Sequence, residues 1–202
     1  MERNMKKGLL IGLGIVVGSI VLFFMIFGGI HNKLVAAEEG VVSAWAQVEN
    51  VYQRRADLIP NLVETVKGYA AHEKSTLQGV TDARAKVGQM KITSDIVNNP
   101  QAMAQFQKAQ GGLSSALSRL MVVAEKYPDL KASQNFLALQ TQIEGTENRI
   151  STERRRFNEI ARHFNTQIRS YPDVFIANMM GLKKKAYFQA DAGASKAPSV
   201  KF

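Results

Sequence analysis

Phe136, Ile143, Ile150, Phe157, Phe164 and Tyr171 follow one another at intervals of seven residues. Large apolar side chains at that spacing return to one side of an α-helix every second turn, whereas a strand would send them to alternate faces. Sustained over this length, the pattern demands a long helix with a left-handed seam, and other helices to cover it. The chain supplies them. Leu34, Val41 and Val48 repeat the seven-residue step, with Trp45 and Tyr52 in the alternate rows, so a first helix is expected to end near Ala56. Leu62, Val66, Tyr69 or Ala70, Leu77, Val80 and Val87 predict a second helix ending near Met90. Met103, Phe106, Gln110, Leu113, Leu117, Leu120, Ala124 and Tyr127 predict a third.

The junctions follow from local chemistry. Asp57-Leu58-Ile59-Pro60-Asn61 predicts a tight reversal between helices one and two. Proline clashes with the carbonyl four residues back but suits the first turn of a new helix, and Asp57 or Asn61 can satisfy its opening amides. Asn98 and Asn99 before Pro100 are expected caps of the third helix. Tyr127-Pro128-Asp129-Leu130 predicts another reversal, with Ser133 capping the fourth helix. Gly111-Gly112 interrupts the third helix at a cost of about 1 kcal/mol each relative to alanine, and reads as a close approach of a neighbouring helix. With Pro and Gly sparse after residue 40 and no alternating β-branched run, the fold class is all-α. The architecture expected is an antiparallel four-helix bundle.

Ahead of the bundle, residues 8–30 carry no charge over about 23 positions, enough to cross a hydrocarbon core of roughly 30 Å. A cleaved signal peptide, with Val35-Ala36-Ala37 as its cleavage site, would have a shorter apolar region, so a retained transmembrane helix continuing into the bundle is the preferred reading. Arg3, Lys6 and Lys7 precede the run, and Lys33 after it is followed by Glu38 and Glu39. That asymmetry predicts a cytoplasmic N-terminus and an extracytoplasmic bundle. Gly8, Gly12, Gly14 and Gly18 include two pairs at four-residue spacing, but on different faces, and are read as ordinary glycine tolerance in a span. The expected division is a short basic N-terminus (1–7), the anchor (8–30), a bundle (31–188) and an irregular tail (189–202). The tail ends in Pro198, Val200 and Phe202, for which docking and disorder are both open.

Motifs of catalysis are missing from the sequence. There is no cysteine, which excludes disulfides, thiolate chemistry, thiolate metal sites and lipoprotein acylation. No Gly-x-Ser-x-Gly elbow, phosphate loop or His-Glu-x-x-His occurs, and Gly12-x-Gly14 follows no strand. His31, His72 and His163 are scattered. Glu73 falls on an apolar row of the second helix, with Arg54, Arg55 and Asp57 at its near end, while Glu147 and Arg154 flank the aromatic row of the fourth. Charges near a core must be paired. Arg54, Arg55, Asp57, Pro60, Asn61, Glu73, Glu147, Asn148, Arg149, Asn158 and Asn165 are therefore read as a signature turn and a polar layer that fixes helix register. The rival reading makes Glu73 and Glu147 a metal pair, but di-metal bundles use Glu-x-x-His spacing, which this chain lacks. No cofactor is expected.

The +9 net charge and a basic fourth helix (Arg149, Arg154, Arg155, Arg156, Arg162, Arg169) carry no stacking platform, so no specific nucleic-acid binding is expected. A membrane surface suits Arg162 and Arg169 better, together with the apolar run 174–182 containing Phe175 and the following Lys183, Lys184 and Lys185. A short helix packed under the bundle, its lysines in water, is the competing account.

Arg54-Arg55-Ala56-Asp57-Leu58-Ile59-Pro60-Asn61-Leu62-Val63, with Val66-Lys67-Gly68-Tyr69 and His72-Glu73, resembles the LemA family of bacterial membrane-anchored proteins. Glu147-Asn148-Arg149-Ile150, Phe157-Asn158, Phe164-Asn165, Tyr187-Phe188, the ending Pro198-Ser199-Val200-Lys201-Phe202 and Trp45 also fit, whereas Tyr171-Pro172 replaces a more usual Phe-Pro. The resemblance implies a bacterial inner-membrane protein with one transmembrane helix, a helical bundle and no established catalytic activity. The resemblance also implies that the opposite topology, with the short N-terminus outside, stays open. The expected role is a non-enzymatic interaction or scaffold module, partnered by the bilayer and by proteins of unknown identity. The alternatives are a membrane-bound metal-dependent hydrolase using Glu73 and Glu147, and a signal-transducing stalk. Regular heptads also admit a homo-oligomer.

Overall fold

The computed structural model describes residues 2–90 and 94–190. Among these there are six α-helices and one 3-10 turn, and no strand, so the protein is all-α. Helix α1 spans Glu2–Tyr69, 68 residues without a break. It is followed by α2 (Lys74–Gly88), a 3-10 turn (Ser94–Asn98), α3 (Pro100–Ala124), the single turn α4 (Pro128–Lys131), α5 (Gln134–Gln167) and α6 (Asp173–Met179). The chain forms two compact units, Met1–Gly40 with His163–Lys184, and Val41–Arg162 with Lys185–Phe202.

In the second unit five helical stretches share a core. Ile59, Leu62, Val66 and Ala70 of α1 meet Leu77, Val80 and Val87 of α2, Leu113, Leu117 and Leu120 of α3, Leu130 of α4, and Phe136 and Ile143 of α5. Burying these side chains is worth about 1.5–3 kcal/mol for each large one, which is what holds helices of modest intrinsic propensity together. Contacts advance together along α1 and α3, from Trp45 on Phe106 to Arg55 on Ser114. Against α5 they run in opposite senses, Trp45 on Phe157 and Arg55 on Glu147. Arg84 of α2 reaches back to Ala56 of α1. The direction of the chain therefore alternates through α1, α2, α3 and α5.

The reversal expected at Pro60 is not there. Helix α1 passes through Pro60, and the chain turns at residues 70–73 instead, where the Glu73 amide donates to the Ala70 carbonyl and the Glu73 carbonyl opens α2. Two observations explain it. Ile59, Leu62, Val66 and Ala70 form one unbroken buried stripe across the proline, so stopping the helix would strip that face from the core. Proline also lacks the N–H that would bond the Ala56 carbonyl, and Arg84 Nε donates to that carbonyl at 3.1 Å in its place. Asp57 caps nothing: it is exposed and accepts from Gln53 Nε2 at 2.7 Å, one turn back. Asn61 is likewise exposed within the helix.

Other junctions follow the sequence more closely. Asn99 Oδ1 accepts from the amides of Gln101 and Ala102, so Asn99, with Pro100 in the first turn, starts α3. Asn98 has a different task, accepting from Lys185 Nζ at 2.9 Å. The Gly111-Gly112 pair sits within α3, yet a Cβ at either position would meet nothing within 4 Å, so no neighbour approaches there. The seven-residue seam of α5 is buried from Phe136 to Phe164. Tyr171, its expected last member, is 82 % exposed, because α5 ends at Gln167.

In the first unit, the large apolar side chains of α1 from Leu13 to Ile26 are exposed, as a span facing lipid requires. Helix α1 is the one helix among the described residues long and apolar enough to cross a bilayer. Helix α6 ends on Gly181, whose φ of +69° suits glycine alone; the amides of Gly181 and Leu182 bond back to Asn178 and Ala177 and close the helix.

Candidate functional site

Beyond Gly181 the described chain has no regular secondary structure, and from Lys185 it packs on the helices of the second unit. The Ala186 amide donates to the Val97 carbonyl at 2.7 Å, and Lys185 Nζ reaches Asn98. Asn158 of α5 holds the Phe188 backbone from both sides, Nδ2 donating to the carbonyl and Oδ1 accepting from the amide, each at 2.8 Å. This strap inserts Phe188 into an aromatic cluster with Trp45, Phe106 and Phe157, its ring stacked on Trp45 at 5.9 Å. Arg154 lies over the outer face of Phe188, 4.9 Å from the ring centre.

Farther along α1 from this cluster lies the most unusual side chain of the molecule. Arg55 is 1 % exposed. Its Nη1 donates to Glu147 Oε1 at 2.5 Å and to Ser114 Oγ at 2.8 Å, its Nη2 donates to Gln110 Oε1, and the guanidinium sits 5.2 Å from the centre of the Tyr52 ring. A guanidinium in an apolar interior is tolerable only with such a counterion and acceptors, since an unpaired buried charge costs several kcal/mol. Arg55 Nε and Gln110 Nε2 remain without a partner among the described residues. Glu147 is the exposed end of the network, with 37 % of its side chain in solvent. A groove of about 500 Å³ runs over it, lined by Gln107, Gly111, Ser115, Glu147, Ile150 and Arg154 among others.

The other residues singled out in the sequence do not join this network. Arg54, Asp57, Pro60, Asn61, Asn148 and Arg149 lie outside it on their helices, all exposed. Glu73, at the turn before α2, accepts from Tyr127 Oη at 3.2 Å. The loss of water around the phenol and the neighbouring Glu73 carboxylate hold the Tyr127 hydroxyl above its usual value of 10.0. Glu73 and Glu147 are thus each engaged by a different partner, and no group of three or more His, Asp or Glu among the described residues is gathered as metal ligands would be. Asn165 is buried in the first unit, where Arg169 is exposed; Arg162 is exposed on the part of α5 that belongs to the second. Lys183 and Lys184 are exposed, but Lys185 is only 6 % exposed, so the expected three-lysine surface is a two-lysine surface. The reason is local: Lys185 opens the stretch that packs on the second unit, and Asn98 binds its ammonium there.

Sequence reasoning missed Gln110, Ser114, Arg84 and the role of Phe188. Gln110 carried a readable signal, a polar residue on an otherwise apolar row of α3. Val200 and Phe202 lie outside the described residues.

Comparisons with known proteins place this chain among relatives. A family model described as LemA family matches residues 44–202. Protein LemA of Metamycoplasma hominis is 27 % identical over 172 residues, covering 85 % of this chain and 74 % of that protein. Magnetosome protein MamQ of Magnetospirillum gryphiswaldense is 28 % identical over 206 residues, covering 92 % of this chain and 75 % of the relative. Magnetosome protein MamQ 2 of Paramagnetospirillum magneticum is 28 % identical over 191 residues, covering 85 % and 69 %. The matched stretch contains Trp45, Arg55, the strap and the whole of the arginine layer, and on that match this chain belongs to the LemA family.

Proposed function

We propose that this LemA-family protein is a non-enzymatic, membrane-anchored interaction module that holds protein partners beside a bacterial cytoplasmic membrane. One observation carries the reading. Helix α1 has bare apolar side chains from Leu13 to Ile26, whereas Leu34, Val41, Trp45 and Val48 farther along it are buried, which supports an anchor and a packed domain sharing one helix. The polar groups best suited to chemistry are engaged internally, Arg55 by Glu147 and Glu73 by Tyr127. Residues 8–30 would be the span, 31–188 the bundle and 189–202 a tail. Arg3, Lys6 and Lys7 would keep the N-terminus in the cytoplasm and the bundle outside it. Extraction of the full chain from its native membrane with surrounding lipid, followed by mass measurement of the intact particles, tests the module. The expected result is a discrete assembly with another protein in fixed stoichiometry; a lone chain in every particle overturns the reading. Protease added outside spheroplasts should digest the bundle, and its protection until lysis would reverse the orientation.

A further inference from the structure

Helix α6 presents an apolar face that nothing in its own unit covers. Tyr171, Phe175 and Met179 are spaced four residues apart, on one side of the helix and its approach, and are 82 %, 61 % and 74 % exposed. The Tyr171 and Phe175 rings meet edge to face at 5.7 Å. Ile176 and Ala177, on the opposite side, are buried, so the helix is seated and its outer face is left free.

What lies against that face can be read from where α6 is tied. Asp173, in its first turn and almost wholly buried, accepts from Lys33 Nζ at 3.2 Å. Lys33 stands three positions beyond the apolar run that ends at Ile30. At 1.5 Å rise per residue that is about 5 Å along α1, well within the headgroup layer of a bilayer spanned by that run. Burial on α1 begins even earlier: Phe27, Gly28, Ile30 and His31 are already partly covered within the unit that pairs this stretch with residues 163–184. Exposed Lys183 and Lys184 follow α6, and exposed Arg169 precedes it.

We infer that α6 lies in the membrane interface, its Tyr171, Phe175 and Met179 face inserted among acyl chains and its flanking cations on anionic headgroups. An amphipathic element held at headgroup depth, with aromatic rings on one face and cations beside it, has the chemistry of an interfacial helix. The contact fixes how the first unit meets the bilayer, where a single span would leave it free to rotate. It rests on the proposed anchoring of α1 and adds a second attachment to it.

The absence of cysteine makes a direct test possible. Full-length Met179→Cys, Ile20→Cys and Val122→Cys, each carrying a polarity-sensitive fluorophore, would be placed in nanodiscs of zwitterionic lipid with and without phosphatidylglycerol. Nitroxide-bearing lipids would serve as quenchers. The expected result is deep quenching at Ile20, shallow quenching with blue-shifted emission at Met179, and neither at Val122, which is exposed on α3. The Met179 signal should be stronger with anionic lipid and should lose that gain in Lys183→Glu/Lys184→Glu. Quenching at Ile20 but none at Met179 overturns this inference and leaves the anchor intact; no quenching at Ile20 overturns both. A Met179 signal indifferent to lipid charge overturns the role of the lysines. Blue-shifted emission without lipid quenching means that protein covers the face, which also refutes the inference.

Discussion

Replacing Glu147 with alanine tests whether the buried arginine is held by charge or only by shape. In the native protein Arg55, 1 % exposed, is bonded to Glu147, Gln110 and Ser114. Glu147→Ala leaves the guanidinium with neutral acceptors alone. Stripping a buried charge of its counterion costs about 3–5 kcal/mol, and because 37 % of the Glu147 side chain is in solvent, water can enter and lower this to about 2–3 kcal/mol. Arg55→Met removes the charge and leaves the Gln110 carbonyl without its donor, a loss of about 1–3 kcal/mol. In that background Glu147 is an ordinary half-exposed carboxylate, and Glu147→Ala should cost less than about 0.5 kcal/mol. The two substitutions should thus couple by about 2 kcal/mol. Urea unfolding of the full chain in mild detergent provides the assay, since the one tryptophan, Trp45, is buried on the same helix as the Tyr52 ring on which Arg55 rests. Equal costs for Glu147→Ala in both backgrounds would show that the ion pair contributes nothing and that shape alone holds the arginine.

Asn158→Ala should release the strap, leaving the Phe188 amide and carbonyl without their side-chain partner; hydrogen exchange at Phe188 should rise at least tenfold while exchange in α3 stays unchanged, a gap of about 1.4 kcal/mol or more. Tyr127 binds its proton more tightly folded than unfolded, so its contribution to stability is complete below pH 10.0 and is lost as pH rises through the higher folded value. Comparing urea midpoints at pH 9 and above pH 10 should show a fall in the native chain that is smaller in Tyr127→Phe. Asp57→Ala, which removes only an exposed bond to Gln53, should change stability by no more than about 0.5 kcal/mol; a loss of about 1 kcal/mol or more would restore a capping role. Pro60→Ala returns the amide that Ala56 lacks and should stabilise the chain. In that background Arg84→Ala should cost less than in the native protein, and an equal cost would mean that the Arg84 bond does not serve the proline gap.

The helical pattern was legible because burial itself has the period of a helix. Phe136, Ile143, Ile150, Phe157 and Phe164 fall on one seam by spacing alone, and each is buried. What spacing cannot read is a contest between a local rule and a remote contact. Pro60 and its neighbours carry every local sign of a turn, yet the partner that settles the matter, Arg84, lies on another helix, 28 residues beyond the Ala56 carbonyl it bonds. The real turn at residues 70–73 has no proline, and the apolar row continues across it, so the sequence offers little to mark it. Tyr171 shows the reverse failure, a repeat that continues in sequence after the helix carrying it has ended.

The polar layer illustrates why composition suggested charges near the core without assigning their partners. Arg54 and Arg55 are adjacent, chemically identical and about 100° apart around α1, so one faces Gln110 and Glu147 while the other faces solvent. Register alone makes the choice, and register is set by Tyr52, Ile59 and Leu62 on the same helix. The layer in turn fixes register across helices, because Arg55 can satisfy both nitrogens of its fork only where α3 offers Gln110 and α5 offers Glu147 at the same height. A slip of seven residues, two turns, along α5 would carry Glu147 away and leave the buried guanidinium without its counterion. Apolar side chains such as Ile143 and Ile150 would accept that slip with far less penalty, since either can take the other's place in the seam. The stability of these packed helices therefore comes from their seams, and the Arg55 layer penalises a change in their alignment.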